Sequence, residues 1–174
     1  MFQLLSIDVT AAVPETHLDA WRAVLNAHSC VVAHAEEALA AAGLPPLAWY
    51  DVLWAIRRAP KRRIRMAELA SSLTISRGGL TKLADRLENA GLIRREPADT
   101  DGRGLYAALT VEGNTLLRRM WPVYSRALRE TFVSAISTEE ASLIAAALSH
   151  VNEPQREHAG STRKSGTPPH PNRG

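Results

Sequence analysis

Ser76, Arg77, Thr81, Lys82 and Arg86 follow one another at intervals of one, four, one and four residues, which gathers hydroxyl, ammonium and guanidinium groups on one side of a helix. Such groups bond phosphate oxygens and the edges of guanine and adenine in a major groove. Arg77 and Lys82 suit a guanine edge or a phosphate, and Thr81 suits a phosphate or a thymine methyl. Ser76 has the chemistry of an N-cap, which leaves the first backbone N–H groups of the helix facing an anion. Arg86, one step round, suits either a phosphate or a structural ion pair. Gly78 and Gly79 occupy the first turn, where each costs about 1 kcal/mol of helix stability relative to alanine and offers no side chain to a base. Asp85 shares the charged side and repels phosphate unless it is paired; Lys82 and Arg103 are its expected partners. Arg103 lies between Gly102 and Gly104, a flexible mounting for a cation entering a minor groove.

Two other chemistries are written more weakly. Cys30 with His28 or His34 can be drawn as a nucleophile and its base, but no oxyanion-hole motif, phosphate loop or paired carboxylate site accompanies them, which argues against an enzyme. Cys30, His34 and Glu37, spaced four and three apart, share a helix face as zinc ligands do. Such a trio arises readily by chance in a helix with three histidines, so no metal or other cofactor is expected. A buried structural thiol is the expectation for Cys30.

The elements that must position the charged face surround it. A short helix carrying Met66, Leu69 and Ala70 stops near Leu73, and a second runs from Ser76 with Leu80, Leu83, Leu87 and Ala90 on its apolar side, closed by Gly91. Two strand-like runs, 92–96 and 105–109, flank a loop rich in turn formers, 97–104, which predicts a hairpin. A helix-turn-helix followed by a hairpin is a winged helix. Upstream, Thr16-x-x-Asp19 has the form of a capping box opening a helix with Leu18, Trp21, Leu25, His28, Val32, Ala35, Leu39 and Ala42 at spacings of three and four, ended by Gly43 and Pro45. Pro46 suits the start of the next helix, with Leu47, Tyr50, Leu53 and Trp54 on its buried side. The stretch 57–65, RRAPKRRIR, then reads as a basic loop.

After the hairpin, Thr110 caps a helix with Leu116, Leu117, Met120, Trp121, Tyr124, Leu128 and Phe132, in which Pro122 predicts a kink or a one-turn break. Ser137-x-x-Glu140 is a second capping box, opening a helix with Leu143, Ile144, Ala147, Leu148 and Val151. Residues 1–14 are expected to be an arm or a frayed end, and 152–174, rich in Pro, Gly and Ser without an apolar period, a disordered tail.

Length suits one domain, 15–151. Net charge is only +3, but its distribution is uneven: residues 57–105 hold twelve Lys or Arg against six acids, net +6, whereas residues 1–56 hold one against six, net −5. The positive charge is concentrated where nucleic acid would be met. One cysteine excludes an intrachain disulfide framework, and neither a transmembrane run nor a signal peptide is visible, so a cytoplasmic protein with no membrane partner is expected.

The run LxxxLxISRGGLTKLADRLENAGLIRREPxxxDGRGxxxxLTxEG, from Leu69 to Gly113, resembles the MarR (multiple antibiotic resistance regulator) family of transcription factors. The likeness takes in the charged helix, both hairpin strands, Asp101 and Arg103 at the tip, and Leu109-Thr110-x-Glu112-Gly113, with flanking helices extending it to about 16–151. It implies a mainly α fold, a winged helix-turn-helix with a helical dimerisation region (about 15–43 and 111–151), a DNA-binding lobe (about 46–110) and a two- or three-stranded wing. It also implies a homodimeric repressor that reads an inverted repeat in double-stranded DNA, with half-sites roughly 10 bp apart, and is released by a small molecule or an oxidant. The ligand pocket of the family lies between the dimerisation helices and the DNA-binding lobe. Here its candidates are Trp21, His28, Trp49, Tyr50, Asp51 and Trp54, aromatic walls with one acid and one imidazole suited to a small aromatic or phenolic effector. Redox or metal sensing is the alternative. Peroxide-sensing relatives place their cysteine near the start of the first helix, whereas Cys30 lies well along it.

Overall fold

The computed structural model describes residues 13–73, 76–97 and 104–152, without the side chains of Arg77 and Asn152. It divides at Ala135 into two compact units. The first contains α1 (Glu15–Ala41), α2 (Leu47–Arg58), β1 (Arg63–Arg65), α3 (Met66–Ser72), α4 (Arg77–Asn89), β2 (Ile93–Pro97), β3 (Leu105–Leu109) and α5 (Val111–Leu128); the second contains α6 (Thr138–Asn152). The expected class, mainly α with a winged helix-turn-helix, is the class observed, and the wing sheet has three strands in the order β1-β3-β2, all antiparallel.

The third strand is a correction to the basic loop. Pro60–Arg62 form a single 3₁₀ turn, with Lys61 and Arg62 in the left-handed region at φ 54° and 53°. That reversal feeds Arg63–Arg65 onto β3, pairing Arg63 with Ala108 and Arg65 with Tyr106. Alternation then turns Ile64 inward among the core residues and both arginines outward.

The core lies where α1, α2, α4 and α5 meet the inner face of the sheet. Leu39, Leu53, Ile56, Leu69, Leu87, Ala107 and Met120 are fully buried. Two of the expected faces differ at one residue each. Ala84, not Ala90, completes the apolar side of α4, because Ala90 has already left the helix as its C-cap before Gly91 turns the chain at φ 71°. On α2, Leu47, Tyr50 and Leu53 are buried as expected and are joined by Val52 and Ile56, whereas Trp54 stands 40% exposed at the edge of that face.

At the start of α1 the Thr16-x-x-Asp19 box does not form. Pro14, with ψ near 139°, caps the helix two residues earlier, its carbonyl accepting the His17 and Leu18 N–H groups, and Thr16 Oγ1 instead lies 3.5 Å from His17 Nδ1. Asp19 pairs with Arg22 at 2.9 Å. Only the second half of the α1 stripe is covered: Ala35 and Leu39 are buried, whereas Trp21 and Leu25 are 57% and 46% exposed. Pro46 likewise serves as the N-cap of α2 and Leu47 as its first residue, with Leu47 N–H donating to Glu36 Oε1 at 3.0 Å.

No break occurs at Pro122. The helix runs through it because Pro122 sits on the solvent side, away from Leu117, Met120 and Ala127, where the carbonyl deprived of its partner can bond water. The irregularity falls about two turns later, as a π turn over Arg129–Val133. In the second unit the Ser137 box forms as expected: Glu140 N–H donates to Ser137 Oγ at 3.2 Å and Ser137 N–H to Glu140 Oε2 at 2.9 Å. These bonds favour the charged form and hold the Glu140 carboxyl below its ordinary pKa. Among the described residues no single helix is long and apolar enough to cross a membrane.

Candidate nucleic-acid interface

Ser76 caps α4 as its sequence demands, Oγ accepting the Gly79 N–H at 3.1 Å. Leu80, Ala84 and Leu87 bury one side of the helix, and this anchoring fixes which side remains outside. There Thr81, Lys82 and Arg86 are exposed, with Gly78 beside them. A Cβ added at Gly78 meets nothing within 4 Å, so the first turn presents bare backbone with room in front of it. Thr81 is already bonded, its carbonyl accepting from Arg95 Nη2 at 3.3 Å. The Arg77 side chain and the whole of Arg103 lie outside the described residues, as do Asp101 and the wing tip.

Among the described residues Asp85 is held not by Lys82 but by Arg95 of β2, Nη2 lying 2.6 Å from Oδ1, and Arg103, its other expected partner, lies outside them. The register explains it. Ile93, Arg95 and Pro97 share one face of β2, the face that carries Ile93 into the core, so Arg95 is turned onto α4 while Arg94 and Glu96 point the other way. The same guanidinium lies 3.5 Å from Glu88 Oε2, and the Arg95 N–H donates to Glu88 Oε1 at 2.9 Å. Reading the sequence by charge alone overlooked this residue; counting alternate positions from Ile93 finds it.

The outer face of the sheet is a second cationic surface. The Arg63 and Arg65 guanidinium carbons lie 4.8 and 5.5 Å from the centre of the Tyr106 ring, and Arg65 Nε donates to the Tyr106 hydroxyl at 3.3 Å. Glu96 partly neutralises this face, contacting Arg94 and Arg63. At the opposite end of the wing, Thr110 joins strand to helix: its hydroxyl donates towards the Gly91 and Leu92 carbonyls and accepts the Gly113 N–H at 3.0 Å. Gly113 is needed there, since a Cβ would stand 2.1 Å from the Leu92 carbonyl oxygen.

The residues expected around an effector are only partly gathered. Tyr50 stacks near Trp54 and Trp121, with ring centres 6.0 and 6.3 Å away, and meets Tyr124 edge-on at 5.2 Å. Trp121 and Tyr124, expected only as packing residues of α5, are thus part of the aromatic group. Asp51 and Trp54 line a cleft of about 490 Å³ together with Arg58, Arg63 and Glu68. Asp51 keeps an exposed edge, but partial burial of its carboxyl, with the Glu36 charge behind it, raises its pKa. Burial also raises the Tyr50 and Tyr124 hydroxyls. Trp49 is half-buried against the core, and Trp21 and His28 stand exposed on α1, outside the aromatic group.

Cys30 is exposed, contrary to the expected buried thiol, because it falls on the solvent side of α1 before the helix reaches the core. His34 Nε2 lies 3.0 Å from Glu130 Oε2 across to the π turn. Among the described residues no three His, Cys, Asp or Glu side chains come together as a metal site, the Cys30, His34 and Glu37 trio included.

The arrangement has known counterparts. The MarR family profile matches residues 42–104. AbsC of Streptomyces coelicolor, a MarR family transcriptional regulator, superposes with a TM-score of 0.72 at 30% identity, over 82% of this chain and 95% of AbsC. Sco3205 of the same organism, a MarR family regulator solved in complex with DNA, gives 0.73 at 30% identity over 82% of this chain and 89% of its own. The transcriptional repressor MprA of Escherichia coli K12 is 39% identical over 77 residues, 44% of this chain and 43% of MprA, so the match spans less than half of that relative. With its capped, outward-charged α4, its three-stranded wing and these relatives, the chain belongs to the MarR family, a winged-helix family of DNA-binding transcriptional regulators.

Proposed function

We propose that this protein acts in the cytoplasm as a homodimeric repressor that reads an inverted repeat in double-stranded DNA and is released by a small aromatic or phenolic effector. It is not an enzyme on this reading. The observation that carries it is α4: leucines anchored in the core, a serine-capped N-terminus, and Thr81, Lys82 and Arg86 exposed on the other side. Arg77, Gly78 and Ser76 join them at the leading end of the helix, and Arg103 contacts the minor groove or the backbone from the wing. Two copies of each per dimer fit half-sites one helical turn apart, about 10 bp.

The effector reading rests on Asp51 and Trp54, which put an aromatic wall and an acid of raised pKa at one cleft, with Tyr50 stacked near Trp54. Trp21 and His28 complete that site only from another surface, such as the α1 of a second copy.

Fluorescence anisotropy of the full chain on its own upstream DNA, across a range of salt concentrations, tests the core of the proposal. The expected complex weakens steeply with salt, and Lys82→Ala lowers affinity several-fold and the salt slope by about 0.9. A complex insensitive to salt, or none, overturns the proposal; an unchanged slope in Lys82→Ala removes that residue. Release of the DNA by phenolic acids is the matching test of the effector.

A further inference from the structure

We infer that Arg95 is a positioning residue for DNA binding: it masks the two carboxylates that the recognition helix turns towards the wing, and so keeps that helix attractive to phosphate. The inference rests on the DNA-binding reading above.

Asp85 follows Lys82 by three residues and Thr81 by four, which sets it on the margin of the charged side of α4, and its side chain is 49% exposed. Glu88 follows one turn later, its side chain 37% exposed. Two carboxylates beside a surface that must meet a polyanion oppose association, because like charges within a few ångströms in a partly desolvated interface repel strongly. Arg95 answers both. Its guanidinium lies 2.6 Å from Asp85 and 3.5 Å from Glu88, donates to the Thr81 carbonyl at 3.3 Å, and its side chain is only 21% exposed. Its own backbone N–H holds Glu88 from below at 2.9 Å. A planar fork held at three points, on a strand whose own N–H is bonded to one of the acids, is a neutralising group that does not need to move when DNA arrives. Its placement on the inner face of β2 also keeps it from spending its charge on phosphate itself.

Masking differs from a direct phosphate contact and from simple bracing in what happens once the acids are gone. The full chain is measured on its upstream duplex as the unsubstituted protein, as Arg95→Gln, as Asp85→Asn with Glu88→Gln, and as all three together, with a thermal melt of each. Arg95→Gln is expected to weaken binding about tenfold, equivalent to ~1.4 kcal/mol. The paired acid substitutions are expected to bind at least as tightly as the unsubstituted protein, and adding Arg95→Gln to them to change affinity less than about twofold, a coupling that a double-mutant cycle isolates. Arg95→Lys, which keeps the charge, is expected to retain most of the binding. An equal loss in both backgrounds, or weaker binding on removal of the acids alone, overturns the masking role while leaving DNA binding intact. Should the triple variant fail to fold, Asp85→Asn with Arg95→Gln carries the same comparison. If the unsubstituted protein forms no salt-sensitive complex, the DNA-binding reading itself falls, and this inference with it.

Discussion

At Gly113 the absence of a side chain decides how the wing joins α5. A Cβ there would stand 2.1 Å from the Leu92 carbonyl oxygen and 2.9 Å from Leu109 Cδ1, and the first of these is backbone that cannot swing aside. Gly113→Ala is therefore expected to cost about 2–3 kcal/mol by overpacking, read as a lowered midpoint in urea unfolding; a change under about 0.5 kcal/mol, the usual size for an exposed surface position, would show that strand and helix can separate. Asp51 makes the opposite kind of prediction. Burial and the Glu36 charge raise its pKa, so ionised Asp51 costs stability. The sign follows from linkage: a carboxyl raised on folding favours the folded state below its unfolded pKa, and the advantage is lost as pH rises through the folded value. Asp51→Asn is accordingly expected to melt higher than the unsubstituted protein near neutral pH, with the two curves converging as pH falls through the ordinary carboxylate range, near pH 4. A gap that stays constant with pH would mean that packing rather than charge separates them.

Among the elements, α4 was legible because everything that specifies it is local. Ser76, the leucines at helical spacing and Gly91 each act within one or two turns, and all three do what their positions imply. Replacing Ser76 with alanine is expected to remove about 1 kcal/mol of stability and to weaken DNA binding by fraying the leading turn, where Gly78 already supplies none; circular dichroism melts and anisotropy would read both effects. The strand β1 was not legible for the converse reason. Nothing within RRAPKRRIR says strand: three residues acquire the conformation only because β3, more than forty positions later, offers a free edge, and because Lys61 and Arg62 accept left-handed backbone to reach it. The partner of Asp85 was hidden in the same way. Charge and proximity in sequence favoured Lys82, whereas the side of β2 on which Arg95 falls is decided by the register that buries Ile93. Pro122 taught a narrower lesson, that a proline on the solvent side of a packed helix need not interrupt it. The effector residues were legible as types but not as a site, since Tyr50 meets Trp54 on its own helix and Trp121 and Tyr124 across on α5 rather than Trp21 or His28.

For the molecule as a whole, the uncovered apolar surface and the uneven charge point the same way. The first half of α1 leaves Trp21 and Leu25 largely exposed, and α6, described by itself, leaves Leu143 and Val151 71% and 76% exposed with Ile144 and Leu148 half covered. Single exposed leucines are ordinary, but runs at helical spacing on two elements are surface that the proposed second copy would cover. The segment that carries α1, residues 1–56, is net −5 because it holds a single cation, and residues 57–105, with α4 and the wing, are net +6, so pairing through the former would leave the latter free for DNA. Leu25→Glu combined with Leu148→Glu is therefore expected to convert a dimer into a folded monomer in sedimentation velocity, with helix content by circular dichroism unchanged. Because tethering two half-site contacts multiplies affinity by about 10²–10⁴, the same variant should bind the full inverted repeat no better than a single half-site. An unsubstituted protein that sediments as a monomer, or a double variant that still binds the full repeat with undiminished affinity, would mean that each chain recognises its site alone.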